Sequence, residues 1–327
     1  MATKIAVNMN LQCSEIRIQV PWGHIAGQWY GDQLQRPILA LHGWLDNCGT
    51  FAKLAPLLNS YRSILCIDLP GHGFSSHLPI GIQYETLEYV RTILRVMRTY
   101  NWKTVSLMGH SMGGSVAFHF AAFYPEHVDI IIGLDMITYR TYSSEDMPTE
   151  LEYIITKNVE FNERLIDKCV AMEPPCYTME ECERLLHEST DRSINLENCK
   201  YILERNVTRS TLHPDKYYFS RDSRVKLKRR YNASPELLNE MAKRICRESI
   251  PHLVIKGGKS RITSYSNTAL THYLQENNKN FVIHTYTPGT HHLHLNNADA
   301  VAQIIIQFLQ NYDTLRKEQH SVFKAKV

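Results

Sequence analysis

Residues 105–114 read VSLMGHSMGG, an apolar run that passes through a Gly-x-Ser-x-Gly pentapeptide into a second apolar run. The residues before Gly109 predict a buried strand, and those after Gly113 predict a helix. A serine on so sharp a turn needs glycine neighbours, because side chains there would collide with the adjacent strand and helix. The turn lifts the Ser111 hydroxyl clear of the sheet, and the helix directs its positive end toward charge that develops there. Ser111 is therefore predicted to be a nucleophile.

Short apolar runs alternate with helical segments on both sides of this stretch. Two runs at residues 15–20 and 24–29 alternate polar and apolar positions around a Pro-Trp-Gly turn, which predicts an antiparallel pair at one edge of a sheet. Buried strands are predicted at 38–41, 64–67, 105–108, 130–134, 252–255 and 281–286. This alternation is typical of an α/β protein with a mostly parallel central sheet and helices on both faces.

The alternation stops between residue 138 and about residue 242. Polar-rich helical stretches take its place, at 151–172, 179–187 and 196–207. We expect that this segment does not easily form a core of its own and packs over the main domain as a helical lid. The predicted organisation is a core of residues 1–137 and 243–327 with a cap of residues 138–242, a size that one α/β domain with an insertion reaches.

Composition excludes several classes of protein. A formal charge of +3 on 327 residues, with both signs scattered, gives no basic surface for nucleic acid. No run approaches the roughly 20 apolar residues of a membrane-spanning helix, and residues 1–13 lack the apolar core of a secretion signal. The eight cysteines have no regular spacing, which favours free thiols in a reducing compartment. A soluble cytoplasmic protein is predicted, and its oligomeric state is left open.

The last three residues, Ala325-Lys326-Val327, are similar to the Ser-Lys-Leu peroxisomal address but end in valine. A peroxisomal location therefore stays open as an alternative.

Acyl transfer on Ser111 needs hydrogen-bond donors aimed at the oxygen that becomes negative. The backbone N–H of Met112 is one candidate, because it follows the nucleophile at the start of the helix. The second is expected from residues 42–46, His-Gly-Trp-Leu-Asp, where a buried strand ends in a turn. The Trp44 N–H is predicted to point into the same cavity.

A base must follow in the chain, and three histidines compete for this role after the last strand. His291 comes first after Pro288-Gly289-Thr290, where a loop side chain can reach back over the sheet edge, and is the preferred candidate. His292 and His294 stay open as alternatives, although we expect them to point toward the following helix or solvent. No carboxylate or further ligand stands near these histidines in the sequence, so neither a metal site nor a cofactor is predicted.

Together these motifs resemble the α/β-hydrolase superfamily and, within it, the branch of serine hydrolase-like proteins. The resemblance covers nearly the whole chain, through residues 42–44, the stretch DLPGHGFSS at 68–76, the Ser111 turn and the His291 turn. It implies the α/β-hydrolase fold with an inserted helical lid. Residues 68–75 are a hallmark of the family with a structural role in loop geometry.

One position departs from the family pattern. Many relatives place the catalytic aspartate just after the strand that ends here at Gly257, where this chain has Ser260. Other members place the acid after the preceding core strand, and the resemblance therefore implies Asp135 as the acid that orients His291. The alternatives are that Asp135 only caps a helix or turn and that a Ser-His dyad remains.

The resulting hypothesis is a serine hydrolase that cleaves a small-molecule ester, or a thioester or amide, through an acyl-enzyme. Haloalkane dehalogenases and epoxide hydrolases of this fold attack with a carboxylate, so the serine argues against their chemistry. Two alternatives stay open. One is a non-catalytic protein that binds a small molecule in the lidded cavity, suggested by Ser260, and the other is a carbon-carbon bond hydrolase that uses the same serine.

Overall fold

The computed structural model describes residues 13–139, 143–167, 174–227, 233–262 and 268–313. The tripeptide at 325–327 lies outside these ranges. The described strands are β1 (Cys13–Val20), β2 (Gly23–Tyr30), β3 (Ile38–Leu41), β4 (Ile64–Ile67), β5 (Val105–His110), β6 (Val128–Leu134), β7 (Val207–Arg209), β8 (Tyr217–Phe219), β9 (His252–Gly257) and β10 (Phe281–Tyr286). The described α-helices are α1 (Leu54–Asn59), α2 (Thr86–Thr99), α3 (Met112–Phe123), α4 (Met147–Asp167), α5 (Met179–Ser189), α6 (Cys199–Leu203), α7 (Pro235–Arg247), α8 (Thr268–Asn277), α9 (Leu293–Asn296) and α10 (Ala298–Tyr312).

Eight strands form one sheet in the order β1-β2-β4-β3-β5-β6-β9-β10. The β1–β2 and β2–β4 pairs are antiparallel, and all the other pairs are parallel. The predicted mostly parallel sheet with an antiparallel edge is therefore confirmed. Since β5 lies near the middle, the turn after it opens at the carboxyl edge of the parallel strands, where α/β proteins bind ligands.

Apolar side chains of the strands alternate between two cores. Leu39 and Leu107 belong to the core on the face covered by α2, α3, α7 and α8, whereas Ile38 and Met108 belong to the core under α1 and α10. This alternation follows from the two-residue period of a strand. Because both faces are buried, the strands read as continuous apolar runs in the sequence.

The hallmark stretch that begins at Asp68 is a buried hydrogen-bond centre. The Asp68 carboxylate accepts the backbone N–H groups of Cys48 and Phe74, at 2.8 and 2.9 Å. It also accepts two bonds from the Arg205 guanidinium, at 3.1 and 2.8 Å, and Arg205 is paired with Glu15 of β1 as well. Arg205 lies between α6 and β7, so this network fixes the segment after β6 to the edge of the main sheet.

The segment between β6 and β9 holds α4, α5, α6, a small β7–β8 hairpin and α7. Its helices α5 and α6 bury a small apolar cluster of their own, which Leu295 of α9 completes. The predicted boundary between residues 242 and 243 falls inside α7, which packs against α3 and α8. The division into core and cap stays a prediction, with α7 on the core side of it.

Within the described ranges, no helix combines the length and the apolar character needed to cross a bilayer.

Candidate active site

Ser111 forms the turn between β5 and α3 by itself. Its backbone has φ +50° and ψ −114°, a conformation that a residue with a side chain seldom adopts and that is concentrated at functional sites. A Cβ added at Gly109 would lie 2.2 Å from the Gly113 carbonyl oxygen, and one at Gly113 would lie 2.1 Å from the carbonyl oxygen of Leu41. The two glycines are therefore required by the close approach of α3 to the strands.

Asp135 and His291 form a short, buried pair. The Asp135 Oδ2 atom lies 2.6 Å from Nδ1 of His291, and its Oδ1 atom accepts the Gly257 N–H at 2.8 Å. A carboxylate only accepts hydrogen bonds, so Nδ1 of His291 carries the proton. The lone pair of the neutral ring is then on Nε2, which is the tautomer that a general base needs.

Ser260 occupies the turn after β9, half-buried, where its hydroxyl accepts the N–H of Ile262 at 3.2 Å. The structure thus brings Asp135, and not Ser260, onto the ring of His291.

A hydrogen bond from a side chain to the backbone connects the histidine loop to the Ser111 turn. Nε2 of His110, the residue before Ser111, donates to the His291 carbonyl oxygen at 3.0 Å. Ser111 and His291 line one cavity. Among the described residues, no hydrogen bond joins the Ser111 hydroxyl to the His291 ring, and such contacts often tighten only when a substrate is bound.

The environment of His291 keeps its ring neutral. Burial lowers the pKa of His291, and the bond to Asp135 opposes this shift only in part. The ring is therefore available as a proton acceptor at neutral pH.

The two other histidines of this loop do not point to solvent or simply toward the next helix, as was expected. His292 is buried, with Nδ1 2.7 Å from the Ser193 hydroxyl and Nε2 3.4 Å from Asp46 Oδ2. His294 is buried as well, with Nε2 2.8 Å from the Thr50 hydroxyl. Each ring is bound by a polar group from a distant part of the chain, which the local sequence could not indicate.

The expectation that no carboxylate lies near these histidines is wrong. Asp46 Oδ2 lies 3.5 Å from Nδ1 of His110 as well as near His292, and the three ligand atoms lie within 4.8 Å of one another. This set could hold a metal ion. Although burial by itself raises the pKa of the Asp46 carboxyl, the two rings lower it well below its usual range. Asp46 is therefore a buried carboxylate that lies beside both the Ser111 turn and the histidine loop.

The residues predicted to stabilise an oxyanion also face this cavity. Met112 begins α3, and the first N–H groups of a helix have no acceptor within the helix. Trp44 lines the cavity too, and its indole N–H donates to the Val225 carbonyl oxygen at 2.7 Å. That bond connects the loop after β3 to the stretch between β8 and α7.

The cavity has a volume of about 1020 Å³. Ser111 and His291 line its core side, and the segment between β6 and β9 contributes much of the rest, including Tyr177, Phe219 and Arg221. This volume is at the upper end of small-molecule sites, and a ligand inside would contact both parts of the chain.

Asp46, His110 and Arg221 belong to this cavity although no sequence pattern predicts a role for them. Asp46 lies in the stretch at 42–46, near Trp44, and His110 directly precedes Ser111. The sequence shows these two residues only as polar groups next to predicted site residues. Arg221 had no such signal, because it lies in the segment between β6 and β9, which carries no motif.

A family model described as the alpha/beta hydrolase fold matches residues 36–173. The chain is 36% identical over 298 residues to a Drosophila melanogaster protein named "Probable serine hydrolase". The aligned region covers 90% of this chain and 87% of that protein. It is 31% identical over 313 residues to a Danio rerio "Serine hydrolase-like protein", covering 96% of this chain and 93% of that protein.

Solved structures give the same architecture. A hypothetical protein from Pseudomonas aeruginosa matches with a TM-score of 0.78 at 25% identity, covering 90% of this chain and 99% of that one. A thioesterase domain from the curacin biosynthetic pathway matches with a TM-score of 0.73 at 18% identity, which bears on the fold alone.

Proposed function

The chain belongs to the α/β-hydrolase superfamily and, within it, to the serine hydrolase-like proteins, and we propose that it is a serine hydrolase that cleaves a carboxylic ester through an acyl-enzyme on Ser111. One observation carries the proposal: Asp135 lies 2.6 Å from Nδ1 of His291, while the same ring shares a cavity with Ser111 on its strained turn. A nucleophile, a base and an orienting acid are the parts that acyl transfer requires.

In the acylation step, the Ser111 hydroxyl oxygen attacks the carbonyl carbon of the ester and passes its proton to Nε2 of His291. The imidazolium that forms is stabilised by the Asp135 carboxylate, which stays ionised. The N–H groups of Met112 and Trp44 stabilise the oxyanion, each worth about 3 kcal/mol at the transition state. The proton then moves to the leaving alcohol as the carbon–oxygen bond breaks.

In the deacylation step, a water molecule replaces the alcohol. His291 takes a proton from the water, whose oxygen attacks the acyl carbon, and returns the proton to the Ser111 oxygen as the acid is released. A thioester or an amide passes through the same steps with a thiol or an amine as leaving group.

The part of the chain between β6 and α7 is proposed to be a cap that supplies most of the substrate pocket. Tyr177, Leu186 and Phe219 line the cavity from this segment, opposite the Ser111 turn. Apolar side chains at these positions favour a substrate with a hydrocarbon part.

Ester hydrolysis by the purified full-length chain tests the proposal. We expect turnover of p-nitrophenyl acetate and butyrate, and at least a thousandfold lower kcat in Ser111→Ala, because removal of the nucleophile from such a triad eliminates the acyl-enzyme route. Ser60→Ala is the control, since Ser60 is an exposed serine at the end of α1 that binds only the Leu57 carbonyl oxygen. Equal activity in the wild-type protein and Ser111→Ala would defeat the assignment.

A further inference from the structure

Arg221 places a positive charge in the cavity. It follows β8 and lies with its guanidinium carbon 4.6 Å from the centroid of the Phe219 ring. Its Nε atom is buried and has no hydrogen-bond partner, and no carboxylate of the described part of the chain forms an ion pair with it. The residue is half-buried, and the Phe219 ring lies beside its guanidinium.

Among the described residues, the fully buried arginines each have an acid partner, whereas Arg221 is half-buried. Arg62 pairs with Asp313 at 3.2 Å, and Arg224 pairs with Asp222 at 2.6 Å. Even partial burial of a guanidinium without an anion is unfavourable, and an anionic ligand in the cavity would remove that cost. Arg95 is also half-buried, with an unpartnered Nε and its guanidinium over the Trp22 ring, and Arg221 differs from it by lining the cavity.

The electrostatic surroundings agree with this geometry. Burial lowers the pKa of Arg221 to about 10, and Asp46 is the acid that acts against this shift. Asp46 is itself in contact with His110 and His292. A second cation, Lys226, lines the same cavity, and its pKa is lowered first by burial and then by the charge of Arg221.

The acids at the rim of the cavity do not neutralise this pair of cations. Asp146 is exposed and accepts the Ser143 hydroxyl at 2.7 Å, and Asp191 is paired with Arg261 at 2.9 Å. Neither these acids nor Glu150 contributes to the pKa shift of Arg221.

We propose that Arg221, with Lys226 beside it, binds an anionic group of the substrate, so that the ester cleaved at Ser111 carries a carboxylate or a phosphate. The claim that the cleaved ester carries the anion rests on the proposed function, whereas the claim that the cavity binds an anion does not. A guanidinium offers a planar pair of N–H donors that matches either oxyanion, and Phe219 holds that plane in place. The anion is then bound in the cap while the ester carbonyl reaches the core.

Two esters with the same leaving group and chain test the inference. The p-nitrophenyl monoester of adipic acid has a free carboxylate, and p-nitrophenyl methyl adipate is its neutral counterpart. We expect the wild-type protein to favour the anionic ester in kcat/KM by roughly ten- to a hundredfold, the range of a charged hydrogen bond. The ratio of kcat/KM for the anionic ester to that for the neutral ester should fall toward one in Arg221→Gln. Arg221→Lys keeps the positive charge, and its ratio should lie between those of the wild-type protein and Arg221→Gln. It is the second test if Arg221→Gln perturbs folding.

Arg209→Gln is the matched control, because Arg209 is an exposed arginine on β7 of the same hairpin and does not line the cavity. It should keep the wild-type preference. A wild-type preference near one, or an unchanged preference in an Arg221→Gln protein that melts at the wild-type temperature, overturns the inference.

A binding experiment separates the anion site from the chemistry. Calorimetric titration of Ser111→Ala with hexanoate and with hexyl phosphate should show binding of at least one anion, and the tighter of the two identifies the source of the charge. Adding Arg221→Gln should weaken that binding roughly tenfold or more. Binding without ester hydrolysis in the wild-type protein would defeat the proposed function alone, whereas hydrolysis with no Arg221-dependent binding would defeat the anion site alone.

Discussion

Replacement of Asp135 by asparagine perturbs the acid of the proposed triad with almost no change in shape. The Gly257 N–H donates to Oδ1 of Asp135 at 2.8 Å, so the amide oxygen of the asparagine should occupy that position. The amide NH2 group then faces Nδ1 of His291, where it can only donate. His291 must accept there with its lone pair and carry its proton on Nε2, which is the wrong tautomer for a base toward Ser111.

The magnitude follows from this exchange of tautomer. The loss of the correct tautomer and of the charge that stabilises the imidazolium lowers kcat by about 10⁴-fold in a triad of this type, or about 5 kcal/mol at the transition state. Stability should change by only about 1 kcal/mol, since the bond to Gly257 is kept and a neutral group is no harder to bury than a carboxylate.

Steady-state hydrolysis of p-nitrophenyl butyrate with a melting curve for each protein measures both quantities. Asp129→Asn is the control, because Asp129 is also on β6 but pairs with Arg36 at the opposite end of the strand. An Asp135→Asn protein with wild-type kcat and wild-type melting temperature would refute the role of Asp135.

Three further outcomes are expected. In the pH profile of kcat/KM, the acidic limb should have its midpoint below the usual histidine pKa of about 6.5, because burial lowers the pKa of His291 and the base works only when neutral; a midpoint above 6.5 would contradict the burial argument. Gly113→Ala should lower the free energy of unfolding by about 3 kcal/mol or more in denaturant titration, because its Cβ would lie 2.1 Å from the Leu41 carbonyl oxygen; an unchanged value would mean that α3 can move away without cost. Arg205→Met should cost about 3–5 kcal/mol, since it leaves the buried Asp68 carboxylate without its cation; a loss below 1 kcal/mol would show that the pair is not needed for folding.

The main sheet could be predicted because its signal is local. The strands around Ser111 are buried on both faces and appear as continuous apolar runs, and the glycines of the turn mark where α3 meets the strands. The β7–β8 hairpin has three residues in each strand, too few for a two-residue period to stand out. The packing of α7 against α3 and α8 depends on tertiary contacts that the helix pattern alone does not specify.

The residues of the candidate site also fall into two groups, those that the sequence predicts and those that depend on contacts between distant parts of the chain. Ser111 and His291 are predicted from motifs, and Asp135 is predicted from the family resemblance; in the structure Asp135 contacts the His291 ring. The positions of His292 and His294 could not be predicted, since Asp46, Ser193 and Thr50 reach them from distant parts of the chain. Arg221 forms no ion pair with an acid of the described residues, and a sequence does not show which charges are left unpaired.

The nucleophilic serine itself can be identified by its covalent product. Intact-mass and peptide-mass measurement after treatment with a fluorophosphonate should reveal one adduct, located on Ser111 and missing from Ser111→Ala, because only a hydroxyl activated by a base reacts at an appreciable rate. A protein that takes up no adduct, or one that is modified equally well after Ser111→Ala, would contradict the assignment of Ser111 as the nucleophile.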